Sequence, residues 1–83
     1  MVNMNIRNKL PPNTIVLDNQ SYDNSIIGLT FDGRVIYDYD LMVQELIDEG
    51  YSAEDAIDWI DYNTIRGLIY IGEKSPLIVT NVD

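Results

Sequence analysis

The pair Asp32-Gly33 constrains this chain more than any other feature. It lies between two runs rich in β-branched and aromatic side chains, Ser25 to Phe31 and Arg34 to Tyr37. A type I′ turn needs positive φ at both central residues, and Asp-Gly adopts that conformation at low steric cost. The sequence predicts a β-hairpin over residues 25–37, and any fold open to the chain must contain it.

Helical spacing follows at once. From Asp40 to Glu49, turning about 100° per residue gathers Met42, Val43, Leu46 and Ile47 on one side. Asp40 suits the N-cap, and Gly50 suits the residue that ends the helix. Ser52-Ala53-Glu54-Asp55 resembles a capping box with Asp in the Glu position. It opens a second helix from Ala53 to about Tyr62, with Ala53, Ala56, Ile57 and Ile60 as its apolar stripe. So short a link makes the two helices a compact αα unit.

Three further segments read as strands: Thr14 to Leu17, Leu68 to Ile71 and Leu77 to Thr80, with a turn over Gly72 to Pro76. The expected class is α+β. A small antiparallel sheet, formed by hairpin 25–37 plus C-terminal strands, carries two short acidic helices on one face. Residues 1–13 are polar and end in Pro11-Pro12, which reads as a flexible or loosely packed arm ahead of a single domain over 14–83.

Composition removes several kinds of chemistry. There is no His and no Cys, so the commonest general base, the thiol nucleophile and the usual zinc ligands are missing. A chain of 83 residues also has little room to enclose a substrate pocket. No catalytic residue, cofactor or metal is expected. Asp38-Tyr39-Asp40 starts like a calcium loop, but the fifth and sixth positions are Met42 and Val43, where Asp and Gly are required. No long apolar run or signal-peptide core appears, so a cytoplasmic protein without membrane contact is expected.

Charge is the feature that bears on partners. Nine acids lie between Asp38 and Asp61 with no Lys or Arg among them, and acids and bases balance over the rest of the chain, leaving a net charge of −9. Segregation of this kind makes a directed field, which governs association more than folding. On the second helix Glu54, Asp55, Asp58 and Asp61 share an arc opposite the apolar stripe. On the first, Glu45, Asp48 and Glu49 cluster likewise. A face serving only solubility mixes signs, because opposite pairs at i,i+4 stabilise by about 0.2–0.5 kcal/mol and like pairs cost a similar amount. Here every such neighbour pair is like-charged. Tyr62 points into the arc and is the candidate anchor, because a partner's Arg can pair carboxylates and stack on a ring. Trp59, at the border of the apolar stripe, is expected to pack between helix and sheet. Arg66 follows the acidic helix and offsets its C-terminal dipole.

The runs Ser25-Ile-Ile-Gly, Asp32-Gly-Arg-Val-Ile-Tyr-Asp-Tyr-Asp and Trp59-Ile-Asp-Tyr-Asn-Thr-Ile-Arg carry a resemblance. Over roughly Thr14 to Val79 the chain resembles a family of small uncharacterised acidic proteins of Firmicute bacteria and their phages and mobile elements. That family carries a proline soon after the Ile-Arg pair, where this chain has Leu68-Ile69. No functional residue is carried over. The setting is similar to that of small acidic inhibitors of host nucleic-acid enzymes, including anti-CRISPR proteins that imitate DNA.

Two readings follow. In the first, a non-enzymatic binding protein presents Asp48, Glu49, Glu54, Asp55, Asp58 and Asp61 as phosphate surrogates to a basic nucleic-acid-binding enzyme, such as a CRISPR effector nuclease, with Tyr62 as anchor. Acidic residues at i,i+3 and i,i+4 have Cβ atoms about 5–6 Å apart, of the order of adjacent phosphates along a strand. Direct nucleic-acid binding by this face is not expected, because phosphates are repelled. In the second, the acidity only keeps an antitoxin-like, regulatory or homo-oligomeric structural module in solution.

Overall fold

A computed structural model describes residues 6–82. Three strands, β1 (Ile26–Leu29), β2 (Val35–Asp38) and β3 (Leu77–Val79), form one sheet in the order β1-β2-β3. Helices α1 (Tyr39–Asp48) and α2 (Ala53–Asn63) run between β2 and β3. Short 3₁₀ helices span Ile6–Lys9, Gln20–Ser25 and Ile65–Tyr70. The class is α+β, with the core between sheet and helices. Val35, Tyr37, Met42, Leu46, Ala56 and Ile60 are buried there, with Leu17 and Tyr22 closing it at one side.

The hairpin stands where Asp32-Gly33 places it, but its turn is of another type. Only Gly33 has positive φ, at 89°, and Asp32 does not. Thr30 N–H donates to Arg34 O at 2.8 Å, and Gly33 N–H donates to Thr30 O at 3.1 Å. A type I turn thus precedes one left-handed glycine, so the loop holds three residues instead of two. Thr30 explains the choice. Its hydroxyl oxygen accepts from Arg34 N–H at 2.9 Å, and the hydroxyl itself donates to the Asp32 carboxylate. A bulge interrupts the ladder between Ile26 and Gly28.

The C-terminal strands differ from expectation. Leu68 to Ile71 lies in the 3₁₀ helix and its capping residue, not in a strand. A short apolar run cannot be assigned by periodicity alone, and this one gains little from burial, since Ile69 is 78% and Tyr70 85% exposed. Without that strand there is no second hairpin to reverse the chain. The helices return it to the start of β2, and β3 joins parallel, pairing Ile36 with Leu77 and Asp38 with Val79. The sheet is therefore mixed, not wholly antiparallel.

Thr14 to Leu17 also forms no strand. Side chains take the place of a ladder at Leu17: its N–H donates to Tyr37 Oη at 3.0 Å, and its carbonyl accepts from Arg7 Nη2 at 2.7 Å. Arg7 Nε lies 2.8 Å from Asp23 Oδ2, which fastens residue 7 of the N-terminal arm to the body. Residues 1–5 of that arm lie outside the described residues.

Helix ends follow the sequence more closely. Ser52 Oγ accepts from Asp55 N–H at 3.1 Å and caps α2. The cap of α1 is Asp38 rather than Asp40, with Oδ1 accepting from Leu41 N–H at 3.1 Å, so strand β2 passes into α1 without a loop. Gly50, with φ of 111°, ends α1. Tyr51 N–H donates to Leu46 O and Gly50 N–H to Ile47 O, each at 3.0 Å, the paired bonds of a Schellman motif. Nothing lies within 4 Å of a Cβ built at Gly50. Gly50→Ala should therefore cost only the left-handed backbone term, about 1–2 kcal/mol, read as a lower urea midpoint with an unchanged slope.

Buried phenols give the fold an alkaline limit. Desolvation raises the pKa of Tyr22 against the opposing Thr64 side chain, with Glu49 and Tyr51 adding, and raises that of Tyr37 against the opposing Leu17 N–H. Above roughly pH 10 the unfolded chain loses these protons before the native state does, so it binds fewer protons and stability falls as pH rises. Thermal melts should show a melting temperature level below that pH and dropping above it, less steeply in Tyr37→Phe.

Candidate functional site

The αα unit determines where the acids go. α1 and α2 pack against each other across a link of residues 49–52, which carries Glu49 between Asp48 at the end of α1 and Glu54 and Asp55 at the start of α2. Asp40, Asp58 and Asp61 all act on Tyr39 at the start of α1. Tyr39 records that convergence. Its pKa is raised by burial first, and then by the fields of Asp61, Asp40 and Asp58.

On α2 only Ala56 and Ile60 of the expected stripe are buried, while Ala53 and Ile57 stay exposed. The helix rests on a narrow seam, so Glu54, Asp55, Asp58, Asp61 and Tyr62 are all exposed. On α1 the acids part company. Glu45 is half-buried beside Asn24 Nδ2, 3.4 Å away, and Asp48 accepts from Gln44 Nε2 at 2.9 Å.

The cations do not neutralise this surface. The ion pairs among the described residues are Arg7–Asp23 and Lys74–Asp32, both outside 38–61. Arg34 Nε donates to Ser75 O at 2.8 Å. Arg66, in place of pairing a carboxylate, holds its guanidinium 4.8 Å from the centre of the Tyr62 ring. One face of the candidate anchor is thus already in contact with a cation of its own chain.

Asp55, Asp58 and Tyr62 line a shallow recess of about 370 Å³ together with Tyr51, Trp59 and Asn63. Tyr51 and Trp59 form its back wall, with ring centres 6.0 Å apart and planes inclined by 54°. Trp59 packs on Tyr51 and remains 44% exposed, instead of filling the seam between helix and sheet. Two carboxylates beside three aromatic rings make a receptor for a flat or extended cation. Guanidinium fits best, because it pairs carboxylates through a rigid fork and stacks on ring faces.

Sequence reasoning missed Tyr51, Trp59 and Asp40 as members of this surface. The signal for Asp40 was present, since a short link implies antiparallel helices and so places the start of α1 beside the end of α2. Tyr51 had a local signal as well: the residue after a C-terminal glycine commonly folds back in a Schellman motif.

Among the described residues, no group of three or more acids is close enough to hold a metal ion. No helix among them is long and apolar enough to cross a membrane. The chain matches no protein-family model, no curated protein and no solved structure.

Proposed function

We propose that this protein is a non-enzymatic binding module that docks its acidic αα surface on a basic, nucleic-acid-binding partner. The recess lined by Asp55, Asp58, Trp59 and Tyr62 carries the reading. It offers paired charge and aromatic surface, and among the described residues no cation forms an ion pair with its carboxylates. Net negative charge serves solubility wherever it is placed, but stacking it as like-charged i,i+4 neighbours on one helix costs stability, which a surface meant only for solubility has no reason to bear. The row of carboxylates from Asp48 to Asp61 stands in for phosphates, and the recess takes an Arg that otherwise clasps the backbone of DNA. By analogy with small acidic inhibitors, the partner we propose is a defence nuclease such as a CRISPR effector.

The test uses purified CRISPR effector nucleases and the intact protein. Affinity should fall at least about tenfold between about 50 and 200 mM salt, and duplex DNA should compete for the same site. Equal affinity at both ionic strengths, or a ternary complex with DNA still in its groove, would remove the mimicry. An antitoxin or oligomeric role would show instead as association insensitive to both.

A further inference from the structure

A second surface runs along the open edge of the sheet and shares only Asp61 with the acidic helical surface. Strand β3 is an outer strand, and among the described residues its backbone pairs with β2 alone. Natural sheets protect such edges with bulges, lysines or prolines. The opposite outer strand, β1, has its bulge. β3 is protected only by its length of three residues and by Pro76 just ahead of it, and beyond it the chain continues exposed through Val82.

Beside that edge runs an apolar groove of about 540 Å³, walled by Leu77 and Ile78 on one side and by Ile65, Leu68 and Ile69 on the other. Arg34 and Asp61 line it too. Their places along β3 follow from the register. Arg34 bonds the Ser75 carbonyl, ahead of the strand. Asp61 lines the groove together with Tyr39, which follows Asp38, the partner of Val79 at the far end. Neither charge has an ion-pair partner among the described residues. An unpaired strand edge, an aliphatic trough and opposite charges along it meet in one place.

We propose that this groove takes an extended peptide segment of a partner protein, which adds to β3 antiparallel as a fourth strand. Main-chain bonds to the free edge hold such a segment, and alternate side chains enter the trough. The charges set its direction and composition. A basic residue opposite Asp61 comes first, β-branched or other aliphatic residues follow, and an acidic residue or a C-terminal carboxylate reaches Arg34. A second copy of this chain is the poorer occupant, because a net charge of −9 on each opposes self-association.

The test is a displayed library of random short peptides selected on the intact protein, followed by amide exchange with the winning peptide synthesised free. Selected peptides should place Lys or Arg ahead of aliphatic residues, and bound peptide should slow exchange at amides within Leu77–Thr80. Ile69→Asp, an exposed position in the groove wall, should weaken the peptide about tenfold while the melting temperature holds. Asp61→Lys should shift selection toward an acidic residue at the first position. Failure to enrich any peptide overturns the proposal, as does protection confined to α1 and α2. A dimeric free protein with β3 amides already protected overturns it in favour of self-pairing.

Discussion

Tyr37→Ala is expected to leave most of the protein unfolded at room temperature. Tyr37 is fully buried in β2, at the centre of the sheet, between the hairpin partner Ile26 and the parallel partner Ile78. Deleting a buried aromatic ring costs about 3–5 kcal/mol. Its hydroxyl also receives the Leu17 N–H at 3.0 Å, and an orphaned buried N–H costs about 1–3 kcal/mol more. A chain of 83 residues has a total stability of about 4–12 kcal/mol. The two losses together take most or all of that. Circular dichroism and a urea titration will show it, as a lost or strongly shifted transition.

The hydroxyl can be separated from the ring by comparing two conservative variants. Tyr37→Phe keeps the packing and strands only Leu17 N–H, so it should lower stability by about 1–2 kcal/mol. Tyr22→Phe should go the other way. Tyr22 is equally deep, but its hydroxyl makes no well-formed hydrogen bond among the described residues and has only a weak polar contact with the Thr64 side chain, so removing it removes more desolvation cost than bonding. Equal and same-signed effects in the two variants would contradict the assignment of Tyr37 as the group that anchors Thr14 to Leu17.

Those two tyrosines mark where the sequence stops being readable. Devices that act within a few residues were legible: the Ser52 cap, the Gly50 terminus, and the hairpin to within a residue or so at its ends. The turn type was not, because it depends on a hydroxyl outside the Asp-Gly pair. The fate of Leu68 to Ile71 was hidden for another reason, since a short apolar run fits a strand or a tight helix and only its missing partner decides. Leu17 was misread because its bonds go to Tyr37 and Arg7, twenty and ten residues away. In the candidate site, exposure of the α2 acids could be read from helical rotation. The Tyr51–Trp59 wall could not, because it forms only when the loop folds back across α2.

Asp55/Asp58/Asp61→Asn is expected to abolish partner binding without unfolding the protein. The substitution keeps shape and removes two charges from the recess and a third, Asp61, from the groove beside β3, so only the electrostatic part of association changes. Steering by a clustered field raises association rates by about 10–10³. A pair desolvated in the recess is worth about 2–5 kcal/mol when one partner is truncated. Loss of about a hundredfold or more in affinity follows, about 3 kcal/mol, together with a flatter dependence on salt. Stability, by contrast, should hardly move. Asp55 lies in the first turn of α2, where its charge favours the helix dipole, and Asp61 lies in the last, where the same charge opposes it. The two effects offset, and relief of the like-charged pair Asp58/Asp61 adds about 0.2–0.5 kcal/mol. Full binding by the folded triple variant would move the interface off α2, whereas lost binding in a chain that melts early would show only that the helix had failed.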